Sequence, residues 1–105
     1  MVKHIILWKL NDDLSPEDKK KAAGMIRDGL EGLAGQIDGL LDIHVIIEPM
    51  QTSTHDIMLE CTLKDAEALA GYTVHPAHVK IKDGIIAAST HGRVCIDYQI
   101  GRAHV

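Results

Sequence analysis

The nine residues Val2-Lys3-His4-Ile5-Ile6-Leu7-Trp8-Lys9-Leu10 alternate in two registers at once, and few folds accept such a strand. Neighbouring side chains of a strand point to opposite faces, so Val2, His4, Ile6, Trp8 and Leu10 share one face while Lys3, Ile5, Leu7 and Lys9 share the other. Large apolar groups stand on both faces, so both must be at least partly buried. The fold therefore has to supply cover on two sides of its first strand.

The rest of the chain supplies cover for one side. Ser15-Pro16-Glu17-Asp18 is a helix start, with a serine cap, proline at the first position and an acid three residues after the serine. Ala22, Met25, Ile26, Gly29, Leu30 and Leu33 continue it as an apolar stripe, and Gly32, Gly35 and Gly39 mark its end. Residues 41–48 alternate again, with Leu41, Ile43, Val45 and Ile47 on one face. After a loop at Pro49, a third strand places His55, Ile57, Leu59, Cys61 and Leu63 together. A connection this short makes the pair antiparallel. A short helix over residues 64–71, a second helical stretch from Pro76 to about Ser89 and a strand over residues 91–100 follow.

The order β-α-β-β-α-β predicts an α+β, ferredoxin-like fold: a four-stranded antiparallel sheet of order 4-1-3-2 with both helices on one face. Ile5, Leu7, Ile46, Met58 and Cys95 are expected on the uncovered face, and a second copy of the chain is its simplest cover, closing a dimeric α+β barrel with roughly 800 Å² buried per partner. Residues 1–100 form the domain and residues 101–105 a loose tail.

At 105 residues the chain is one domain and leaves no room for a second. The formal net charge of -4 argues against nucleic acid, and Lys19-Lys20-Lys21 reads as a solvated helix face. No apolar run reaches the roughly 20 residues of a membrane span. Met1 runs straight into the first strand without a signal-type cleavage site, so a cytoplasmic protein is expected. Cys61 and Cys95 form no CxxC pair and are expected as free thiols with the first strand between them.

Chemistry concentrates in Tyr72-Thr73-Val74-His75-Pro76-Ala77-His78-Val79. Pro76 disfavours a helical His75 and suits the first position of a new helix, so the chain should bend at His75 and restart at Pro76. On an unbroken helix six residues turn roughly 600°, which sends Tyr72 and His78 to different faces; a bend can bring both to one pocket. In the first turn of the new helix His78 would be favoured as a neutral ring able to accept a proton. His75 itself reads as a capping or core-bonded support. A metal site from His4, Tyr72 and His78 is not expected, because the motif lacks the i, i+4 histidine pair of a helical zinc site and brings no carboxylate. No cofactor is implied.

Met1 to Leu10, Tyr72 to Val79 and the closing Val94-Cys95-Ile96-Asp97-Tyr98 together resemble the stress-responsive dimeric A/B-barrel (Dabb) family, over residues 1–100. The resemblance implies the fold and homodimer above. It also implies a small-molecule pocket, since the family holds plant stress-induced proteins and a plant polyketide cyclase that closes a poly-β-keto chain by an aldol step. The cyclase's acting tyrosine and histidine match Tyr72 and His78, and its first-strand histidine matches His4. This chain departs by having no phenylalanine and an isoleucine, Ile57, where the cyclase carries a third-strand histidine; His55 stands two residues earlier. A pocket here is therefore expected to be walled by Ile6, Trp8, Ile57, Leu59, Ile81 and Ile85.

For an enzyme of this kind, a cofactor-independent cyclase, lyase or isomerase, His78 would be the general base and Tyr72 the partner of the substrate carbonyl, with His4 binding or orienting. Two other readings stand beside it: a non-catalytic small-molecule binder, and a stress protein whose dimer is the functional surface. A cavity in which Tyr72 and His78 converge favours the enzyme, a cavity without that convergence the binder, and a filled core the third.

Overall fold

A computed structural model describes residues 1–101, and the expected tail lies, beyond Gly101, outside the described residues. The elements are β1 (Val2–Leu10), α1 (Pro16–Glu31), β2 (Leu40–Ile46), β3 (Ile57–Leu63), α2 (Ala66–Val74), α3 (Pro76–Ile81), a wide π turn (Lys82–Ile86), α4 (Ala87–Ser89) and β4 (Thr90–Gln99). The strands form one antiparallel sheet in the order β2-β3-β1-β4, with the helical elements packed on one face. This is the ferredoxin-like arrangement expected from the element order.

Local chemistry sets the boundaries. Ser15 caps α1 by accepting a hydrogen bond from the Asp18 N–H at 3.1 Å, with Pro16 at the first position. Asp65 caps α2 in the same way, through the Ala68 N–H at 2.8 Å. Between α2 and α3 the backbone of His75 is extended (φ -63°, ψ 132°), as the following proline requires, and its Nδ1 accepts from the Ala77 N–H at 3.1 Å. The bend and the capping role of His75 are as expected.

The core lies between sheet and helices. Ile26 and Leu30 of α1 meet Ile43 and Val45 of β2, Ile57, Leu59 and Leu63 of β3, and Ile6 and Trp8 of β1. Each such side chain contributes about 1.5–3 kcal/mol by leaving water. The inward stripe of α1 is turned slightly from the expected one: Ala23 is buried and Met25 is exposed.

Two register expectations are corrected. A bulge between Leu40 and Asp42 puts Leu40 in the core and leaves Leu41 54% exposed, opposite to the plain alternation. In β4, pairing of His4 with Asp97 and of Ile6 with Cys95 turns Arg93, Cys95 and Asp97 toward the helix-bearing side, so Cys95 is not on the open face. Val94, Ile96 and Tyr98 take the open face instead, beside Ile5, Leu7, Ile46 and Met58. The apolar set of β4 thus faces away from its own core and stays exposed.

The stretch from Pro76 to Ser89 is helical throughout, but the π turn inserts one extra residue where Gly84 leaves helical geometry (φ -91°, ψ -105°). An added residue rotates the downstream side chains by about 100°. Ile86 is consequently buried, and Ile85 is only half-buried.

Candidate functional site

Three aromatic rings from three elements meet under the β1–β4 side of the sheet. His4 comes from β1, Tyr72 from the last turn of α2 and His78 from the first turn of α3. The Tyr72 ring lies 4.4 Å from the His78 ring, centroid to centroid, and 5.8 Å from His4, edge-on. The break at His75 is what brings Tyr72 and His78 together.

Each ring has a defined polar environment. His78 is buried, and its Nδ1–H donates to the Thr73 carbonyl at 3.2 Å, which leaves Nε2 as the acceptor nitrogen. Burial lowers its proton affinity, and the charges of Lys82, His4 and Arg93 lower it further against the opposing Thr73 hydrogen bond. His78 is thus a neutral base at physiological pH. His4 is buried with its Nδ1–H donating to Asp97 Oδ1 at 2.5 Å. Tyr72 is fully buried, and its hydroxyl has no hydrogen-bond partner. Burial, with a smaller contribution from Cys61, raises the Tyr72 pKa, so the phenol stays protonated and is a donor without an acceptor.

His4 and His78 line a cleft of about 310 Å³ together with Ile6, Trp8, Thr73, Lys82, Ile86 and Arg93. Of the expected wall, Ile6 and Trp8 are present. Ile57 and Leu59 are not, because both are buried in the core, and Ile81 and Ile85 line a separate groove against α1. Tyr72 stands closed off from solvent beside the cleft rather than on its surface. His55 is elsewhere again: its Nδ1 shares a hydrogen bond with Thr54 Oγ1 at 2.8 Å, and it lines a recess of about 410 Å³ on the open face of the sheet. None of His4, Tyr72 and His78 reaches that recess.

Thr73, Lys82, Ile86 and Arg93 complete the cleft from outside the expected wall. Lys82 follows His78 by four residues, so helical spacing puts it on the same face, whereas Ile86 is brought there by the extra residue of the π turn. Arg93 lies on the helix-bearing side, the face opposite to the one that the apolar alternation of β4 suggests.

His4 Nδ1, Cys95 Sγ and Asp97 Oδ1 all lie within 4.8 Å of one another, the donor types of a zinc site. The 2.5 Å between His4 and Asp97 is hydrogen-bond spacing, however, whereas two ligands of one zinc ion sit about 3.3 Å apart. As arranged, the cluster is a histidine–carboxylate pair with a thiol beside it. Cys95 is exposed and its pKa is raised, by partial burial and by Asp97; Cys61 is buried and pushed up to about 12 by burial above all, then by Asp42 and Asp97. Both are free thiols, as expected.

Fold and site together define a ferredoxin-like α+β domain with a histidine-lined cleft between the edge of its sheet and its broken second helix. The model of the stress responsive A/B barrel domain matches residues 2–100, and the chain belongs to that family. It is 35% identical over 103 residues to the stress-response A/B barrel domain-containing protein HS1 of Arabidopsis thaliana, covering 93% of this chain and 88% of that one. A dimeric protein of unknown function with a ferredoxin-like fold from Bacteroides fragilis superposes with a TM-score of 0.87 at 31% identity, over 93% and 94% of the two chains. A hydroxynitrile lyase from Passiflora edulis shares the fold with a TM-score of 0.76 at 14% identity, over 96% and 94%.

Proposed function

We propose that this chain is a homodimeric barrel protein whose cleft binds a small carbonyl compound and catalyses proton transfer next to the carbonyl without a cofactor. The observation that carries the reading is the buried Tyr72 hydroxyl, a protonated donor with no acceptor, packed against a histidine held neutral with a free Nε2. Nε2 of His78 takes the α-proton. The electron pair of that C–H bond becomes the carbon–carbon double bond of the enolate as the carbonyl π pair moves onto oxygen, and the resulting oxyanion accepts a hydrogen bond from Tyr72. Delivery of the proton from His78 to a different atom of the enolate completes an isomerisation; attack of the enolate carbon on a second carbonyl forms a C–C bond and an alkoxide that takes the proton from His78, completing an aldol-type closure. His4, oriented by Asp97, contacts the ligand from β1.

Because the Tyr72 hydroxyl is closed off from solvent, a side chain of the wall has to move as the substrate enters. As it stands the cleft holds His78 without Tyr72, the arrangement that favours binding without turnover, and this is the second reading.

The two are separated with a panel of small β-keto compounds, scored by the rise in melting temperature and by deuterium uptake at the α-carbon above the buffer rate. For a compound that is turned over, His78→Ala should lower the rate by about 10²- to 10⁴-fold while the melting shift persists. The wild-type rate should rise with pH to a plateau, with its midpoint below 6.5, the ordinary histidine value, because burial makes His78 lose its proton at a lower pH than a free imidazole. Full activity in His78→Ala refutes the base assignment, and melting shifts without any uptake identify the binder.

A further inference from the structure

We propose that the cleft takes its ligand by a carboxylate held by Lys82 and Arg93, so that the substrate class is a carbonyl-bearing organic acid of the 3-oxo type. The inference deepens the acid/base reading and rests on it for the role of His78, while the anion preference comes from the composition of the wall. His4, His78, Lys82 and Arg93 make half of the eight lining residues, and none of the eight is an acid. Acids outnumber lysines and arginines 15 to 11 in the chain, so a wall with no acid runs against the overall balance.

The two fixed cations are available. Arg93 forms no salt bridge among the described residues. Lys82 has only its neighbour Asp83 at 3.9 Å, with both side chains more than half exposed, a contact of little strength. Asp97, the carboxylate adjoining the site, is already engaged with His4. The cations come from different elements, the π turn and β4, and line one cleft whose apolar wall is Ile6, Trp8 and Ile86. Fixed charge beside an apolar wall concentrates oppositely charged ligands. A neutral ketone finds only the apolar wall, the imidazoles and Thr73.

The arrangement also couples binding to chemistry. Lys82 and Arg93 are near enough to His78 to hold its proton affinity down. A carboxylate docked against them offsets their charge, so the ligand strengthens the base that acts on it.

Trp8 is the single tryptophan and lines the cleft, so its fluorescence reports occupancy. Benzoylacetate, its methyl ester and inorganic phosphate are titrated at low ionic strength. Benzoylacetate should bind at least about tenfold more tightly than the ester, with the difference collapsing near about 0.5 M salt. Lys82→Gln and Arg93→Gln, both surface changes, should each weaken the acid by about threefold or more and leave the ester unchanged. An ester that binds as well as the acid overturns the carboxylate preference and leaves the acid/base proposal standing. Phosphate that binds as well as benzoylacetate overturns the organic-acid class. Failure of acid and ester alike overturns both proposals.

Discussion

A buried hydroxyl without a partner costs about 1–3 kcal/mol against a satisfied one, and in the folded chain that cost falls on Tyr72. A core that tolerates it keeps a donor ready for an oxygen that arrives later. Tyr72→Phe preserves the ring's packing against His4 and His78 and removes the orphan, so it should leave the protein unchanged or stabilise it by about 1 kcal/mol in urea denaturation while reducing turnover. Loss of more than about 1 kcal/mol would mean that the hydroxyl is satisfied in solution, and its availability to a substrate would go with it. His78 is different in kind. Its Nδ1–H satisfies the Thr73 carbonyl, so replacing it removes a structural bond as well as a base.

At the scale of elements, the turn between α1 and β2 is held by a close approach to α2. Gly39 has φ +82°, and a Cβ there would stand 2.5 Å from the Cβ of Ala68, while its carbonyl accepts from the Lys64 N–H at 2.8 Å. Gly39→Ala combines a left-handed backbone with a clash, and should cost about 2–5 kcal/mol by thermal or urea unfolding. A loss under about 1 kcal/mol would show that α2 is free to retreat. The elements themselves were legible because each carried a local cause: the Ser15 cap, the proline at residue 76, the alternation of β1. So was the meeting of Tyr72 with His78, since the break at His75 is written in one residue. The wall of the cleft was not. Its membership depends on one inserted residue at the π turn and on which face of β4 turns inward beside its bulge with β1, and neither alters the pattern from which faces are read. Apolar alternation in β4 pointed inward by default, whereas Val94, Ile96 and Tyr98 point out.

That outward set defines the molecule as a whole. Ile96 is 60% exposed and Val94, Tyr98 and Ile46 are each nearly half exposed, on one face of a sheet whose other face is already packed against helices. A contiguous apolar face of this kind marks an interaction surface on a small protein. In a homodimer the two open faces meet and Ile5 and Leu7 gain the second cover that the double alternation of β1 demands, so the feature that constrains the fold of one chain also calls for the other. A charge in the middle of such an interface is desolvated without a partner, at a cost of several kcal/mol. Ile96→Asp should therefore leave β4 paired and the domain folded, while sedimentation equilibrium falls from twice the 11.5 kDa chain mass to that mass itself. Wild-type protein that sediments as a monomer at micromolar concentration would refute the homodimer. A variant that stays dimeric would place the interface on another face and leave the exposure of Ile96 to a different partner.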